Sequence, residues 1–206
     1  MSWRGADWLV RDERAQQERP QQMLDALGLS PGDDVADIGA GIGFHALRMA
    51  RRVAPGGTVY ATDLQPQMLA RLRRRAEAAG VENIVLVRGA QTTTGLPRNR
   101  IDLALMVDVY HELSNPRAVL ADLAGALDPA GGRLALVEFR AEDPDVPIRR
   151  DHKMSAAQML RELRAFGWAL DRRYDELPWQ HLMIFRPAPA ESEGDGPAAS
   201  GGASAP

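Results

Sequence analysis

VADIGAGIGF, residues 35–44, decides the fold of this chain because it joins a buried strand to a turn rich in glycine. Its first four residues are apolar except for Asp37, and Gly39, Gly41 and Gly43 then follow at every second position. Glycine has no Cβ atom, so such a turn lets the backbone approach a ligand closely. The stretch predicts a strand, a nucleotide-binding turn and the first turn of a helix.

The spacing and charge of this turn discriminate between ligands. A dinucleotide-binding turn carries a further glycine three residues after its second one, and here that position holds Phe44. Asp37 stands just before the turn, where a carboxylate repels a pyrophosphate and attracts a cation. The turn therefore favours a cationic, amino-acid-like ligand, although an ordinary tight turn or another nucleotide-binding loop has a similar pattern.

The motif DIGAGIG, residues 37–43, resembles motif I of the class I S-adenosylmethionine-dependent methyltransferases. The resemblance implies that the turn cradles the methionine part of S-adenosylmethionine through Asp37, Gly39, Ala40, Gly41 and Gly43. It also implies that an acid at the end of the second strand holds the ribose hydroxyls. The strand TVYATD, residues 58–63, supplies this acid as Asp63, and Leu64 is expected to pack on the adenine.

The loop after the third strand departs from the family pattern. The family commonly shows Gly-Asp-Ala there, with the acid on the adenine amino group, whereas this chain has Gly89-Ala90-Gln91. The carboxylate contact is therefore absent. The backbone N–H of Ala90 and the side chain of Gln91 are the candidates to replace it.

The fourth strand, residues 101–107, runs into DVYHE, residues 108–112. By position we expect Asp108 near the cofactor and Tyr110, His111 and Glu112 near the acceptor of the methyl group. The ordinary pKa of histidine, about 6.5, suits His111 to general base catalysis. The alternative is a structural histidine that caps or packs against the next helix. No pair of His or Glu residues shows a ligand spacing such as H-x-x-x-H, so no metal site is expected.

The order of elements predicts the fold class. Strands alternate with helical stretches through short connections, which is typical of a parallel sheet. The last two strands, near 168–175 and 180–185, are too close for a crossover helix and predict an antiparallel hairpin. We therefore expect an α/β fold, a Rossmann-like, doubly wound, seven-stranded sheet that is mostly parallel with an antiparallel last strand. The class I methyltransferase resemblance implies the same sheet.

Three segments are expected. Residues 20–186 would form the methyltransferase domain. Residues 1–19 contain two tryptophans and would form either a lid over the cofactor or a segment docked on the core. Residues 187–206 contain no aromatic residue and no aliphatic residue larger than alanine, which predicts a disordered tail.

Composition limits the class of protein. The chain has 206 residues, 45% of them hydrophobic, a net charge of −3 and no cysteine, which indicates one globular domain without disulfides. No apolar run approaches the length of a membrane span, and no signal peptide precedes the domain, so a cytoplasmic protein is expected. The arginines at 71, 73, 74 and 75 scatter around a helix, so no nucleic-acid partner is expected.

The expected function is methyl transfer from S-adenosylmethionine to an oxygen, nitrogen or carbon of a small molecule. The polar loop at 141–154, with His152 and Lys153, and the hairpin segment LPWQH, residues 177–181, look like those of bacterial methyltransferase-domain proteins and more distantly of quinone-biosynthesis methyltransferases. Two alternatives remain. One is a cofactor-binding regulatory module without methyl transfer, and the other is a nicotinamide oxidoreductase, which Phe44 and Asp37 disfavour.

Overall fold

A computed structural model describes residues 13–189 of the chain together with Trp3, Trp8, Val10 and Arg11. Strands and helices alternate through most of this part. The strands are β1 Val35–Ile38, β2 Val59–Asp63, β3 Ile84–Arg88, β4 Leu103–Val107, β5 Arg133–Arg140, β6 Lys153–Met154, β7 Trp168–Tyr174 and β8 Gln180–Pro187. The α-helices are α1 Arg14–Gln17, α2 Pro20–Leu27, α3 Ala46–Val53, α4 Pro66–Ala78, α5 Pro116–Ala126 and α6 Ala156–Ala165. A short 3-10 helix, Tyr110–Glu112, follows β4, and another, Arg150–His152, precedes β6.

All the strands belong to one sheet of order β3-β2-β1-β4-β5-β8-β7, with β6 paired to β5 outside this path. β1 lies parallel to β2 and β4, and β4 lies parallel to β5. β8 runs antiparallel to both of its neighbours, β5 and β7. The predicted α/β class and the antiparallel last strand are therefore confirmed. The strand order reverses between β1 and β4, which is where ligands bind in sheets of this kind.

Helices cover both faces of the sheet, so its central strands are buried on both sides. β4 shows the arrangement, because successive side chains of a strand point to opposite faces. Leu103 and Leu105 pack with α2, α3 and α4 on one face, whereas Ala104 and Met106 pack with α5 and α6 on the other. The two apolar layers hold the carboxyl ends of the strands in fixed relative positions.

Short polar residues begin two of the helices. The side chain of Asn115 accepts a hydrogen bond from the N–H of Ala118 at the start of α5, at 3.3 Å. The hydroxyl of Ser155 accepts one from the N–H of Gln158 at the start of α6, at 3.1 Å. Such caps satisfy backbone donors that have no partner within the helix.

The strands differ from the sequence-based expectation at a few positions. β4 begins at Leu103, because Ile101 forms only a single bridge to Leu127. The two-residue strand β6 adds an eighth strand to the seven expected. β8 continues through Pro187, and the N–H of Ala188 donates to the carbonyl of Gly167, so the first residues of the expected tail belong to the sheet.

Parts of the expected terminal segments lie outside the described residues. These are 190–206 of the expected disordered tail and most of 1–12 of the expected lid. In the part of the chain that the structure describes, no helix has the length and apolar character needed to cross a bilayer.

Candidate active site

A cavity of about 580 Å³ lies at the carboxyl ends of the central strands, where the strand order reverses. Its wall is formed by the loops after β1 to β4, by the segment before β6 and by two residues near the N-terminus. Representative residues from these segments are Gly41, Asp63, Gln91, His111, His152, Trp8 and Arg14. Cavities of this volume and place are typical of small-molecule and cofactor sites.

A second depression of about 660 Å³ lies on the helices, away from the strand ends. Four arginines of α3 and α4 contribute to its wall, namely Arg48, Arg51, Arg52 and Arg75. It contains none of the cofactor-binding or catalytic candidates from the sequence, so the cavity at the strand ends is the candidate active site.

The glycines of the first turn are required for their left-handed backbone conformation and, at two positions, for close packing against neighbouring side chains. Gly39, Gly41 and Gly43 all have positive φ, of 69°, 54° and 82°. A Cβ atom on Gly39 would lie 2.6 Å from Cγ2 of Val109, and one on Gly43 would lie 2.7 Å from Cγ of Leu72. At these two positions the missing Cβ therefore makes room for the protein itself, in contrast to the expectation that it makes room for a ligand.

Only part of the expected methionine-binding turn faces the cavity. Gly39 and Gly41 line it, whereas Ala40 and Gly43 do not. The N–H of Ala40 donates to the carbonyl of Thr62 at 2.9 Å, which ties the turn to the end of β2.

Asp37 is buried within β1 and does not line the cavity, although the sequence places it just before the turn. Its Oδ2 has no hydrogen-bond partner within the described residues. Burial raises the pKa of Asp37 to about 7, against the N–H of Ala46 and the positive charge of Arg14, which lower it. A buried carboxylate oxygen without a partner is costly, so this atom is suited to meet a donor or a positive charge.

Asp63 ends β2 and lines the cavity, as expected. Its two oxygens accept hydrogen bonds from the N–H groups of Gly41, at 3.0 Å, and Gln65, at 2.8 Å. Burial raises its pKa, although both hydrogen bonds lower it. The next residue, Leu64, also lines the cavity and is 50% exposed, which is unusual for a large apolar side chain and makes it available to a flat apolar ligand group.

Ala90 and Gln91 both line the cavity. The N–H of Ala90 donates to the carbonyl of Thr93 at 2.8 Å, within a tight turn that also bridges these two residues. In this conformation the N–H is bonded within the turn, in contrast to the expectation that it is offered to a ligand. Gln91 is exposed and remains the candidate for a polar contact with the cofactor's base.

Asp108 lines the cavity just after β4 and has a left-handed φ of 55°. The amide of Gln180 donates to both of its oxygens, at 2.9 and 3.0 Å. Burial raises the pKa of Asp108 well above its usual range, and the carboxylates of Glu18 and Glu138 act in the same direction. An uncommon backbone conformation at a cavity wall is typical of functional positions.

His111 lies in the 3-10 helix after β4 and faces the cavity. Its Nδ1 is 2.6 Å from Oε2 of Glu138, and its Nε2 is 3.0 Å from Nδ1 of His152. Burial lowers the pKa of His111, but the hydrogen bond and charge of Glu138 outweigh this effect, so the pKa is raised. Glu112 lines the same part of the wall. His111 is thus held by β5 and by the segment before β6, and it does not serve as a helix cap.

Tyr110 is not among the residues that line the cavity, although the sequence places it with His111 and Glu112 on the acceptor side. Its side chain is buried, and its hydroxyl donates to Oε2 of Glu162 at 3.1 Å, on the α6 side of the sheet. Burial, followed by the charge of Glu162, raises the pKa of Tyr110. Successive side chains of a 3-10 helix point in different directions, so in the helix Tyr110–Glu112 the side chain of Tyr110 enters the core and that of His111 faces the cavity.

The remaining candidates have structural partners. The ring of His181 is buried between Oε2 of Glu142, 2.9 Å from Nε2, and the guanidinium of Arg140, 3.3 Å from Nδ1. Lys153 donates to the carbonyl of Asp143 at 3.0 Å. These contacts hold the loop between β5 and β6 against β8 and thereby position His152.

Two residues near the N-terminus line the cavity, Trp8 of the expected lid and Arg14, which had no distinct sequence signal. Arg14 is buried, forms an ion pair with Glu18 and lies 3.2 Å from Nε2 of His45. Trp8 stacks against the guanidinium of Arg11, 3.6 Å from the ring centre. The contact of this segment with the cavity agrees with either expectation for residues 1–19, so the lid remains a prediction.

The cavity fits S-adenosylmethionine in chemistry. Oδ2 of Asp37 is buried without a hydrogen-bond partner among the described residues, and burial disfavours the charged forms of both Asp37 and Asp108, so a sulfonium or ammonium group beside them would offset this cost. Asp63 and the exposed Leu64 are neighbours in the cavity wall and suit a ribose and an adenine. Gly39 and Gly41 provide a stretch of cavity wall without side chains.

Comparison with known proteins agrees with this geometry. Residues 35–131 match the methyltransferase domain family. The chain is 35% identical over 116 residues to a demethylmenaquinone methyltransferase of Tropheryma whipplei. The aligned residues cover 55% of this chain and 44% of the relative. It is 36% identical over 78 residues to a protein-L-isoaspartate O-methyltransferase of Aeropyrum pernix, covering 38% of this chain and 30% of the relative. The chain therefore spans less than half of the length of these curated relatives.

A solved structure shares the whole fold. The S-adenosylmethionine-dependent methyltransferase of Aquifex aeolicus superposes with a TM-score of 0.81 at 23% identity, over 90% of this chain and 98% of that one. The matched segment, these relatives and the shared fold support a class I S-adenosylmethionine-dependent methyltransferase domain with S-adenosylmethionine as its cofactor.

Proposed function

We propose that this protein transfers the methyl group of S-adenosylmethionine to a nucleophilic atom of a small molecule. The observation that carries the proposal is that one cavity joins the glycine turn and Asp63 to the cluster of His111, Glu112 and His152. A cofactor held at the turn would have its methyl group directed at an acceptor bound beside the cluster.

The cofactor-binding roles follow from charge and exposure. Asp63 has further lone pairs beyond those used by two backbone N–H groups and accepts the ribose hydroxyls. Leu64 packs on the adenine, and Gln91 supplies a polar contact to it. Asp108 stabilises the positively charged methionine part, while the guanidinium of Arg14 suits its carboxylate.

Catalysis is assigned mainly to alignment. Holding two reactants in line supplies about 7–11 kcal/mol, and closing the site removes water that would compete for the methyl group. His111 and Glu112 orient the acceptor, because both face the cavity. The acceptor loses its proton and gains the methyl group, and S-adenosylhomocysteine leaves.

A small acceptor is favoured over a macromolecule by the shape of the cavity. Its volume of about 580 Å³ must hold the cofactor and the acceptor together, and Pro147, Ile148 and Arg149 contribute wall on the acceptor side. The relatives include methyltransferases named for a quinone and for a protein substrate. An acceptor screen would distinguish an aromatic or quinone-like acceptor from an exposed peptide side chain.

A regulatory module that binds the cofactor without methyl transfer is the second candidate. It is favoured by one observation, the loss of the adenine-binding carboxylate at Ala90, whose N–H is also committed to Thr93. In this alternative the cofactor binds, but no acceptor is modified.

The test is a screen with methyl-labelled S-adenosylmethionine against cell extracts that contain both metabolites and proteins, with products identified by mass spectrometry. Methyl transfer is expected to yield labelled small molecules with the native protein and roughly tenfold to a hundredfold less with Asp63→Ala under subsaturating cofactor. Labelled protein in place of small molecules would overturn the acceptor class. Binding of S-adenosylhomocysteine without any labelled product would support the regulatory module instead.

A further inference from the structure

Two imidazole rings face each other at the acceptor end of the cavity. Nε2 of His111 lies 3.0 Å from Nδ1 of His152, and the ring planes are inclined by 84°. One ligand atom from each of His111, Glu112 and His152 lies within 4.8 Å of the other two. All three residues line the cavity, so they face the space that a bound molecule would occupy.

The protonation of His111 is set by a buried carboxylate. Oε2 of Glu138 lies 2.6 Å from Nδ1 of His111, and the Glu138 side chain has no exposed surface. The short contact places the Nδ1 proton toward Glu138 and leaves a lone pair on Nε2. Two nitrogen atoms 3.0 Å apart need either a proton or a cation between them, because two lone pairs repel each other.

We propose that Nε2 of His111, Nδ1 of His152 and the carboxylate of Glu112 bind a divalent cation of the zinc type. Two imidazoles and one carboxylate form a common ligand set for zinc and neighbouring transition metals, and a fourth position stays open in such sites. Ligand atoms about 2.1 Å from a tetrahedral ion lie about 3.4 Å from one another. The two nitrogens are already close to this separation.

The position of Glu138 supports a metal site. Histidines that bind metals almost always donate their other ring N–H to a carboxylate or carbonyl, which fixes the ring and raises its basicity. Glu138 stands in this relation to His111, and its side chain is buried, so it orients the ring without reaching the cavity. The N–H of Tyr110 donates to its other oxygen at 2.9 Å and holds the carboxylate in place.

The backbone brings the second histidine to the same point. His152 ends the 3-10 helix Arg150–His152, and the next residue, Lys153, pairs with Phe139 in the register of β6 on β5. Glu138 and His152 therefore precede two residues that are paired across adjacent strands. Because 41 residues separate His111 from His152, no motif with ligand spacing exists in the sequence.

The cation site itself does not depend on the proposed function. Only a role of the cation in methyl transfer rests on that function. The open position of the cation would face the cavity, so the acceptor would contribute an oxygen or sulfur atom as a ligand. Coordination by a zinc-type ion lowers the pKa of such a group, which then loses its proton to solvent and attacks the methyl group as an anion.

The test is a zinc titration of the untagged protein in competition with a chromophoric chelator, repeated with cobalt(II) for its visible absorption. One equivalent of zinc per chain is expected, with magnesium failing to compete. His152→Ala and Glu112→Gln should each weaken zinc binding at least about tenfold. His152 is 40% exposed in its side chain, so its replacement should leave folding unaffected.

Asp151→Asn is the matched control for Glu112→Gln, because each removes one carboxylate charge near His152. The Asp151 carboxylate lies 3.9 Å from Nε2 of His152, on the side of the ring away from His111. Its loss should change zinc affinity by no more than about threefold. Equal losses in the two variants, full affinity in His152→Ala, or no saturable zinc binding by the native protein would overturn the metal site. Calorimetry with S-adenosylhomocysteine on the same samples separates this failure from that of the proposed function, since cofactor binding does not require the cation.

Discussion

Glu138, near the carboxyl end of β5, holds His111 at the cavity wall through a contact of 2.6 Å between Oε2 and Nδ1. The glutamate has no solvent exposure, and its second oxygen accepts the backbone N–H of Tyr110. The segment after β4 is therefore fastened to the neighbouring strand by a side chain that does not line the cavity.

Replacement of this glutamate should destabilise the protein. Glu138→Gln keeps the size but has one acceptor oxygen for three donors, the backbone N–H groups of Tyr110 and His111 and the ring Nδ1 of His111, and leaving a buried donor unsatisfied costs about 1–3 kcal/mol. Urea unfolding should show a loss of this order. Glu162→Gln is a suitable control, because Glu162 accepts from the Tyr110 hydroxyl but does not contact His111. An unfolding midpoint equal to that of the native protein would show that the contact with His111 contributes little.

Removal of the Tyr110 hydroxyl should leave methyl transfer almost unchanged. The hydroxyl is bonded to Glu162 and lies outside the cavity wall. Tyr110→Phe should therefore keep kcat and KM within about twofold and reduce stability by about 1 kcal/mol. Steady-state assays beside urea unfolding test both parts. A large fall in kcat with normal stability would return Tyr110 to the catalytic residues.

Removal of the Asp63 carboxylate should weaken cofactor binding. Hydrogen bonds to a charged group contribute about 1.5–3 kcal/mol, so Asp63→Ala is expected to lower the affinity for S-adenosylhomocysteine roughly tenfold to a hundredfold. Titration calorimetry measures the change. Asp171→Ala, which removes an aspartate of β7 paired with Arg186, is the control and should bind normally. Unchanged affinity in Asp63→Ala would exclude the ribose contact.

Gly39→Ala should lower the free energy of unfolding more than the same substitution at an unhindered glycine of similar backbone conformation. The new Cβ would lie 2.6 Å from Cγ2 of Val109 at φ of 69°, whereas at Gly28, with φ of 64°, nothing lies within 4 Å. Gly28→Ala should cost about 1–2 kcal/mol for the left-handed backbone alone, and Gly39→Ala clearly more. Addition of Val109→Ala to Gly39→Ala should recover part of the loss. Equal unfolding free energies for the two single variants would contradict the close packing.

Asp37 should make stability and cofactor affinity depend on pH in opposite directions. Its pKa of about 7 in the folded protein exceeds the ordinary value of 3.8, so the folded state binds more protons between these values. The free energy of unfolding therefore falls as pH rises from about 4 to 7, by at most about 1.4 kcal/mol per pH unit from this group. The cationic cofactor favours the ionised carboxylate, so its affinity should rise over the same range.

Asp37→Asn isolates this contribution from those of Asp63 and Asp108. Urea unfolding at several pH values between 4 and 7 should show a shallower decline for the variant than for the native protein. The affinity of the variant for S-adenosylmethionine should also depend less on pH. Parallel pH profiles for the two proteins would show that Asp37 does not titrate in this range.

Much of the fold was predictable because its signals are local. The strand at 35–38, the glycine turn and the hairpin at the end of the chain each depend on residues close in sequence, through hydrophobic pattern and connection length. β6 was not predictable, because two residues are too few to show the alternation of apolar and polar side chains that marks a strand. The positions of Asp63 and Leu64 at the cavity were predictable for the same reason, because each directly follows or ends a recognisable strand.

By itself the sequence determined the doubly wound sheet, the cofactor turn and the acid that ends β2, since these depend on neighbours along the chain. Only the tertiary structure decided that Arg14 and His152 line one cavity with His111 and Asp108, and that Glu138 holds His111 from behind the cavity wall. It also decided that Tyr110 turns into the core while His111 faces the cavity. Such contacts join residues tens of positions apart, and their distances are set by strand register and helix packing, which no spacing in the sequence encodes.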